Sequence, residues 1–399
     1  MNYLVTGGAG FIGANFIKYI LKKYKKISII ILDKLTYAGN LGTIKEELSD
    51  NRVTFVKGDI CNRELVENIF MKYDIDCVVN FAAESHVDRS IENPGIFLKT
   101  NIIGTQTLLD AAKAHWTIGK DEKGYPLYKD GKKFLQVSTD EVYGSLERDI
   151  PEGTELKVET EELKVILKDR EVMPRIFGEN FFTEKTSLDP SSPYATSKAG
   201  ADMLVRAYWE TYHMPVNVTR CSNNYGPYHF PEKLIPLIIK NILEGKKLPL
   251  YGDGKQVRDW LYVEDHCKGI DMVINSGRLG EPYNIGGFNE EQNITIVKLT
   301  IDTIARLMKE QPNYQKILKT SLENINHNLI AHVHDRLGHD ARYAIDPTKT
   351  VRELGFYPET SFVVGIEKTI KWYLDNQEWV KEVVSGDYVK YYENMYCEK

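Results

Sequence analysis

The run Ser138-Thr139-Asp140-Glu141-Val142-Tyr143-Gly144 sets hydroxyls, two adjacent carboxyls and a phenol directly behind the apolar stretch Phe134-Leu135-Gln136-Val137. Carboxyls side by side at a strand end suggest acid and base work, although an ordinary strand end with solvated acids has the same composition. A second pair of reactive types stands downstream in Ser192-Pro193-Tyr194-Ala195-Thr196-Ser197-Lys198, which opens a helix. Tyr194 and Lys198 are one turn apart there and share a face. A tyrosine and a lysine at that spacing are common by chance, so their meaning depends on the scaffold around them.

The amino-terminal half supplies the scaffold's signature. Tyr3-Leu4-Val5 reads as a short buried strand, followed by Thr6-Gly7-Gly8-Ala9-Gly10-Phe11-Ile12-Gly13 and a helical stretch from Ala14 to Tyr24. Gly7 permits a tight turn, Gly10 lets the backbone approach a pyrophosphate, and Gly13 lets the helix pack closely on the strand with its N-terminus facing the phosphates. Ile27 to Leu32 is a second apolar strand ending at Asp33, about 20 residues beyond Gly13, from where an aspartate hydrogen-bonds the adenosine ribose hydroxyls. Its charge repels a 2′-phosphate and so favours NAD over NADP, with the nearby Lys34 as the counter-argument. Val53 to Val56 ends at Gly58-Asp59-Ile60, where Asp59 can reach the adenine amino group. Cys77 to Phe81 ends at Ala82-Ala83, small residues that either leave space for the cofactor or permit close helix packing. Helices near 62–73 and 92–116 connect these strands as crossovers. In this setting a cationic Lys198 favours the Tyr194 phenolate and can also hold the nicotinamide ribose.

Through Thr6 to Gly13, Thr139 and Tyr194-x-x-x-Lys198, the chain resembles the extended short-chain dehydrogenase/reductase superfamily. Within it, nucleotide-sugar 4-epimerases usually carry small or neutral residues where Asp140-Glu141 stand here, and the resemblance is to the dTDP-glucose 4,6-dehydratase family. Further runs similar to that family are Ala83 to Ser90, Lys99-Thr100-Asn101, Cys221 to Pro227, Pro231 to Pro236, Tyr251 to Gly254, Arg258-Asp259-Trp260 and Asp335 to Asp340. The resemblance spans almost the whole chain. It implies an α/β protein, a Rossmann-type doubly wound parallel sheet with a smaller α/β substrate-binding domain. The NAD-binding domain is expected over 1–217 with 258–287 returning to it, and the nucleotide-sugar domain over 218–257 and 288–399. A homodimer is also implied, in keeping with small and apolar Ala199, Ala201, Met203, Leu204 and Ala207 on more than one face of the Tyr194 helix.

The implied reaction, on dTDP-glucose, explains the residue types. Water leaves C6 of a hexose with difficulty until a transient ketone at C4 makes the C5 proton acidic. By resemblance Tyr194 takes the O4 proton as hydride moves to NAD, with Thr139 bonding O4 and Lys198 supporting Tyr194. Glu141 then removes the C5 proton while Asp140, kept protonated, donates to the departing hydroxyl. Mutual repulsion between neighbouring carboxyls raises the proton affinity of one of them and suits this division. The implied cofactor set is Gly7, Gly10, Phe11, Ile12, Gly13, Asp33, Lys34, Leu35, Thr36, Asp59, Ile60, Ala82, Ala83, Ser85, Thr100, Tyr194, Lys198 and Asn224. Toward the substrate, Ser85, His86 and Thr139 are placed near the sugar and Asn223, Arg258 and Arg336 at the diphosphate, where guanidinium groups pair bidentately with phosphate oxygens. Lys233, Leu234, Pro249, Tyr251, Asn293 and His339 correspond to positions lining the nucleotide pocket.

Composition narrows the remaining classes. At 399 residues, with 42% hydrophobic and 27% charged side chains, the chain is an ordinary globular one, and its formal charge of -6 gives no basic field for nucleic acid. The five cysteines form no CxxC pair and are odd in number, which indicates neither a zinc site nor a disulfide framework and fits a reducing cytoplasm. Met1 to Val5 runs straight into the glycine turn, leaving no room for a signal peptide, and no apolar stretch approaches the roughly 20 residues of a membrane helix. Two insertions depart from the family pattern. Residues 117–132 read as an exposed loop or hairpin, and 145–190 as a lid over the site or a solvated excursion. Leu337 stands where the family usually has proline. The rival readings are a 4-epimerase, a 4,6-dehydratase of a CDP-, GDP- or UDP-sugar, and a catalytically silent NAD-binding regulator. The last would be expected to have lost one of Thr139, Asp140, Glu141, Tyr194 and Lys198, all of which are present.

Overall fold

The computed structural model describes residues 1–147, 181–336 and 338–384, so most of the proposed lid segment and Leu337 lie outside the described residues. The strands, in chain order, are β1 (Asn2–Thr6), β2 (Ser28–Asp33), β3 (Val53–Lys57), β4 (Cys77–Asn80), β5 (Thr117–Lys120), β6 (Pro126–Tyr128), β7 (Lys133–Thr139) and β8 (Val216–Cys221). They continue with β9 (Asn223–Tyr225), β10 (Leu248–Tyr251), β11 (Val257–Tyr262), β12 (Pro282–Ile285), β13 (Glu290–Gln292), β14 (Ile330–Val333) and β15 (Arg342–Tyr343). A seven-stranded parallel sheet runs in the order β12-β8-β7-β4-β1-β2-β3. The order in which the chain lays down strands reverses between β1 and β4, the switch point at which such sheets open a crevice beyond their carboxyl ends.

Helices cover both faces, which is why the strands read as continuous apolar runs rather than alternating ones. Val5, Ile29 and Ile31 pack toward Phe16, Ile17, Ile20, Ile270 and Val273 of the Phe11–Lys23 and Val263–Ser276 helices. Leu4, Ile30 and Leu32 pack toward Val66, Phe70, Leu108, Leu109 and Val205 on the other face. The expected helix over 92–116 is observed as Val87–Glu92, Pro94–Phe97, a π-helical turn Leu98–Ile103 and Gly104–Trp116. Such π turns are rare and frequently sit at functional sites. The 117–132 insertion forms an antiparallel hairpin of β5 and β6.

A second layer stands over the carboxyl edge. Its centre is β11, paired antiparallel with β13 and parallel with β15 and β9, while β10 pairs with β14. Its core joins Ile235, Ile238, Ile239 and Ile242 to Trp260, Ile301, Ile304, Ile366 and Ile370. The changeover between layers differs from the expected boundaries. All of β8, through Cys221, belongs to the parallel sheet because it pairs with β7 on one side and β12 on the other. The return to that sheet begins with the Val263–Ser276 helix rather than at Arg258, since β11 pairs only within the second layer.

A buried polar network fastens β8 to the helix that carries Tyr194. Arg220 Nε donates to Asp202 Oδ2 at 2.9 Å and Arg220 Nη1 to the Tyr143 hydroxyl at 2.9 Å, and that hydroxyl donates to Asn284 Oδ1 at 2.8 Å. Asn284 in turn donates to the Phe182 carbonyl at 2.9 Å. Removing one member of such a pair leaves a buried charge unmatched. The substitution Arg220→Met is therefore expected to lower stability by about 3–5 kcal/mol, read as a shift of the urea midpoint at pH 7.

Candidate functional site

The turn after β1 is built as the glycine spacing demands. Gly7 has φ +65°, and a Cβ there would lie 2.7 Å from the Ala82 amide nitrogen, so β1 and β4 loops touch at this residue. A Cβ on Gly13 would fall 2.4 Å from the Gly7 carbonyl oxygen. Gly10 caps the Phe11–Lys23 helix without a side-chain bond, which leaves its first-turn amides directed at the crevice as an anion cradle. Asp33, buried at the end of β2, accepts from Ala9 N at 2.9 Å and Leu35 N at 2.8 Å, and burial pushes its carboxyl up. It therefore fixes the glycine turn. Lys34 pairs with Asp59 at 2.8 Å, Leu35 has φ +56°, and the Thr36 carbonyl closes the turn to Gly39 N. Phe11 stacks on His229 at 4.2 Å. At the Ala82-Ala83 strand end the Ala82 backbone packs against the Gly7 turn. Ile60 is held in the hydrophobic core, its Cδ1 packed against Gly104.

Thr139 ends β7, and its hydroxyl accepts from Glu141 N at 3.3 Å and reaches Asp140 Oδ1 at 3.2 Å. This side-chain cap starts the single 3-10 turn Asp140–Tyr143. Gly144 ends it with φ +90°, where a Cβ would sit 2.5 Å from the Asp189 carbonyl oxygen. Opposite this turn the Pro193–Tyr212 helix begins, with the Ser192 hydroxyl accepting from Ala195 N at 3.1 Å and proline in the first turn. Ser197 Oγ donates to the Tyr194 carbonyl at 2.7 Å and accepts from Asn101 Nδ2 at 2.7 Å. Asn101 lies in the π turn beside Thr100 and also pins Glu84, accepting from its amide at 2.9 Å and donating to its carbonyl at 3.0 Å.

The electrostatics separate the two carboxyls. Burial, followed by the charges of Glu141 and Asp259, holds Asp140 well above the usual carboxylate range. Asp140 Oδ2 carries no hydrogen bond. Glu141 is also raised by burial, but Arg336, Lys233 and Arg258 draw it back down. Burial is the largest cause for both groups, and the charge of Glu141 is the second for Asp140. Tyr194 differs more from expectation. Burial and the charges of Glu141 and Asp140 push its phenol well up, while the Lys198 ammonium donates to the Val137 carbonyl at 2.6 Å. Lys198 itself is pulled down by burial and supported by Asp202.

On the second layer Lys233 Nζ donates to the Ser85 carbonyl at 2.9 Å, and buried His86 stands 3.9 Å from Asp88. Arg336 Nε lies 3.8 Å from Asp88, His339 bonds Asp335 at 2.6 Å, and the Tyr251 and His339 rings meet edge to face at 6.0 Å. Arg258 is buried over the Tyr343 ring at 4.1 Å. Asn223 and Asn224 form β9, but the Asn224 side chain is engaged by His266 at 2.8 Å and by the Ser222 carbonyl. Leu234 and Asn293 start helices, and Pro249 lies in β10. Sequence reasoning gave no role to Asn101, Asp202, Arg220, Asp259 or Asp340. Arg220 did carry a signal, as a charge inside the apolar strand Val216 to Cys221. Asp259 accepts from Gly287 N and Asn289 N, both at 2.7 Å.

A glycine-turn crevice, a Thr-Asp-Glu strand tip and a Tyr-x-x-x-Lys helix under a second layer have the pattern of a nucleotide-sugar dehydratase of the short-chain dehydrogenase/reductase type. A family model described as GDP-mannose 4,6 dehydratase matches residues 4–159 and 176–369. A dTDP-glucose 4,6-dehydratase of Shigella flexneri is 46% identical over 396 residues, 99% of each chain. Among solved structures, the Bacillus anthracis dTDP-glucose 4,6-dehydratase in complex with NAD is 44% identical, with a TM-score of 0.75, covering 96% of this chain and 99% of that one. The Streptomyces venezuelae dTDP-glucose 4,6-dehydratase with NAD and TYD bound is 39% identical, with a TM-score of 0.76, covering 96% and 100%. The chain belongs to the dTDP-glucose 4,6-dehydratase family.

The raised Asp140 carboxyl has a consequence for stability. Its folded pKa lies above the unfolded value of about 3.9. Between those two values the unfolded chain releases a proton that the folded chain keeps, so stability falls as pH rises through that window. Asp140→Asn removes the effect. The melting temperature of this variant is expected to match the wild type near pH 4 and to exceed it increasingly toward pH 8, measured by thermal scans across the range.

Proposed function

We propose that this protein is an NAD-dependent hydro-lyase that converts dTDP-glucose to dTDP-4-keto-6-deoxyglucose and water. The observation that carries the reading is the buried Asp140 and the partly buried Glu141 beside Thr139 and within electrostatic reach of Tyr194, which provide an acid and a base for elimination next to a hydroxyl-oxidising pair. Near-full-length kinship with dTDP-glucose 4,6-dehydratases supports it.

The crevice fits the cofactor. The first-turn amides behind Gly10 hold the pyrophosphate, Asp33 the ribose, the Asp59 region the adenine, and Lys198 the nicotinamide ribose. When bound, NAD supplies a hydride acceptor for C4 and a donor for C6, and its oxidised ring brings a positive charge that favours the Tyr194 phenolate. Tyr194 takes the O4 proton, and Thr139 bonds O4. Glu141 removes the C5 proton, which the C4 ketone has made acidic. Asp140 gives its proton to the departing C6 hydroxyl, and Glu141 later returns a proton to C5. Arg258, Arg336 and Asn223 receive the diphosphate, His86 and Ser85 face the sugar, and Lys233, Leu234, Pro249, Tyr251, Asn293 and His339 line the nucleotide pocket.

The free cysteines among the described residues support a reducing cytoplasm. No helix among them is long and apolar enough to cross a membrane. A homodimer is supported by Ile96, Leu98, Ile103 and Met203, which stay exposed on packed neighbouring helices, Met203 at 64%. Ala199 and Ala201 are instead buried within the chain itself. Sedimentation is expected to give twice the 45.8 kDa chain mass, and Met203→Glu to shift it to the monomer.

The reaction is tested by incubating the purified protein with dTDP-glucose and no added cofactor. Loss of one water by mass, with 4-keto absorbance in alkali and no net NADH, is the expected result. Conversion to dTDP-galactose at unchanged mass would establish a 4-epimerase. Turnover of only CDP-, GDP- or UDP-glucose would move the nucleotide assignment, and no turnover of any would establish the silent regulator.

A further inference from the structure

The stretch that carries Arg336 and His339 ends at Asp340, a buried carboxylate for which the reaction above has no use. Its Oδ2 accepts from Ser191 Oγ at 2.5 Å and from the Tyr343 hydroxyl, and its carbonyl oxygen accepts from Arg258 Nη2 at 2.9 Å. The Arg258 guanidinium also lies over the Tyr343 ring, 4.1 Å from its centroid. Ser191 directly precedes Ser192, whose hydroxyl caps the helix that begins Pro193-Tyr194. The next residues are strapped to the chain leaving the Asp140–Tyr143 turn, with Ala341 N donating to Ser145 Oγ at 2.9 Å and Leu146 N to the Arg342 carbonyl at 3.0 Å. One residue therefore touches an arginine assigned to the diphosphate, follows the loop that carries the other, and holds the approach to the Tyr194 helix.

We propose that Asp340 is a positioning residue that couples occupancy of the diphosphate and nucleotide loop to the seating of Tyr194 against the Asp140-Glu141 turn. The inference rests on the nucleotide-sugar reading. A carboxylate only accepts hydrogen bonds, and a single oxygen that takes two hydroxyl protons fixes both partners at once. Ordering of Arg336 and Arg258 by a diphosphate then restrains residue 340 and, through Ser191, the first turn of the helix. A displacement of about 1 Å at a reacting group costs on the order of a hundredfold in rate, so a latch of this kind acts on turnover more than on affinity.

The test uses dTDP as the probe, with calorimetry for binding and hydrogen exchange of the amides of residues 194–198. In the wild type dTDP binds and slows their exchange. In Asp340→Ala, dTDP is expected to bind within about threefold of the wild type, exchange at 194–198 no longer to respond, and kcat to fall by about ten- to a hundredfold with KM within about threefold. Asp340→Asn, which keeps one acceptor oxygen, recovers part of the response. Ser191→Ala breaks the same bond from an exposed position and reproduces the uncoupling even where Asp340→Ala folds poorly. Undiminished protection by dTDP in Asp340→Ala and Ser191→Ala, or a raised KM with kcat retained, overturns the coupling. Failure of the wild type to bind dTDP at all overturns the nucleotide reading, and the coupling with it.

Discussion

A carboxyl group taken out of water gains proton affinity, and the burial of Asp140 at the tip of β7 is the condition the rest of the site answers to. An exposed acid at that position would be ionised, and taking it out of water favours the neutral form by disfavouring the charged one. The tip can be dry because β7 is an inner strand, flanked by β4 and β8 and covered by helices. The second layer then closes over the carboxyl edge and brings cations toward Glu141. Asp259, which belongs to that layer, keeps Asp140 neutral from the other side while bonding to the Gly287 and Asn289 amides.

Precision at such a tip cannot come from the strand ladder, which ends there. Two buried polar networks take over. The Asp202, Arg220, Tyr143 and Asn284 chain joins the Tyr194 helix, β8, the Asp-Glu turn and β12. The Asn101, Glu84 and Ser197 cluster joins the loop after β4 to the first turn of the same helix. Buried networks of this kind resist displacement because breaking a bond exposes an unpaired group to a low dielectric. Tyr194 is thus held from two directions by residues that have no part in the chemistry.

The amino-terminal scaffold was legible because each of its demands falls on one residue type at a fixed spacing. Gly7 needs positive φ and Gly13 needs the absence of a Cβ, and sequence alone states both. The reactive types Thr139, Asp140, Glu141, Tyr194 and Lys198 were visible as residue types in the sequence, and the structure sets Asp140, Glu141 and Tyr194 within electrostatic reach of one another. What spacing could not show was direction. Lys198 shares a helical face with Tyr194, yet its ammonium turns to the Val137 carbonyl, an acceptor that exists only once β7 lies beneath the helix. Ile60 follows a strand tip but is drawn into the core by the space that Gly104 leaves. The changeover between layers was misplaced by a few residues for the same reason. Whether Arg258 belongs to one sheet or the other depends on long-range pairing with Glu291 and Tyr343, which no local pattern encodes.

The asymmetry between the two acids follows from their hydrogen bonds as much as from their charges. A buried carboxylate is tolerated when amides or cations occupy its lone pairs, as Asp33 and Asp259 show. Asp140 has no such support: one oxygen meets the Thr139 hydroxyl at 3.2 Å and the other has no partner. Burial without a partner disfavours the charged form of that carboxyl and raises its proton affinity. Glu141, one residue on, faces the cations of the second layer instead, and they lower its proton affinity. Two carboxyls adjacent in sequence thus come to differ in proton affinity because a single 3-10 turn points them into different surroundings, with the Thr139 cap setting that turn.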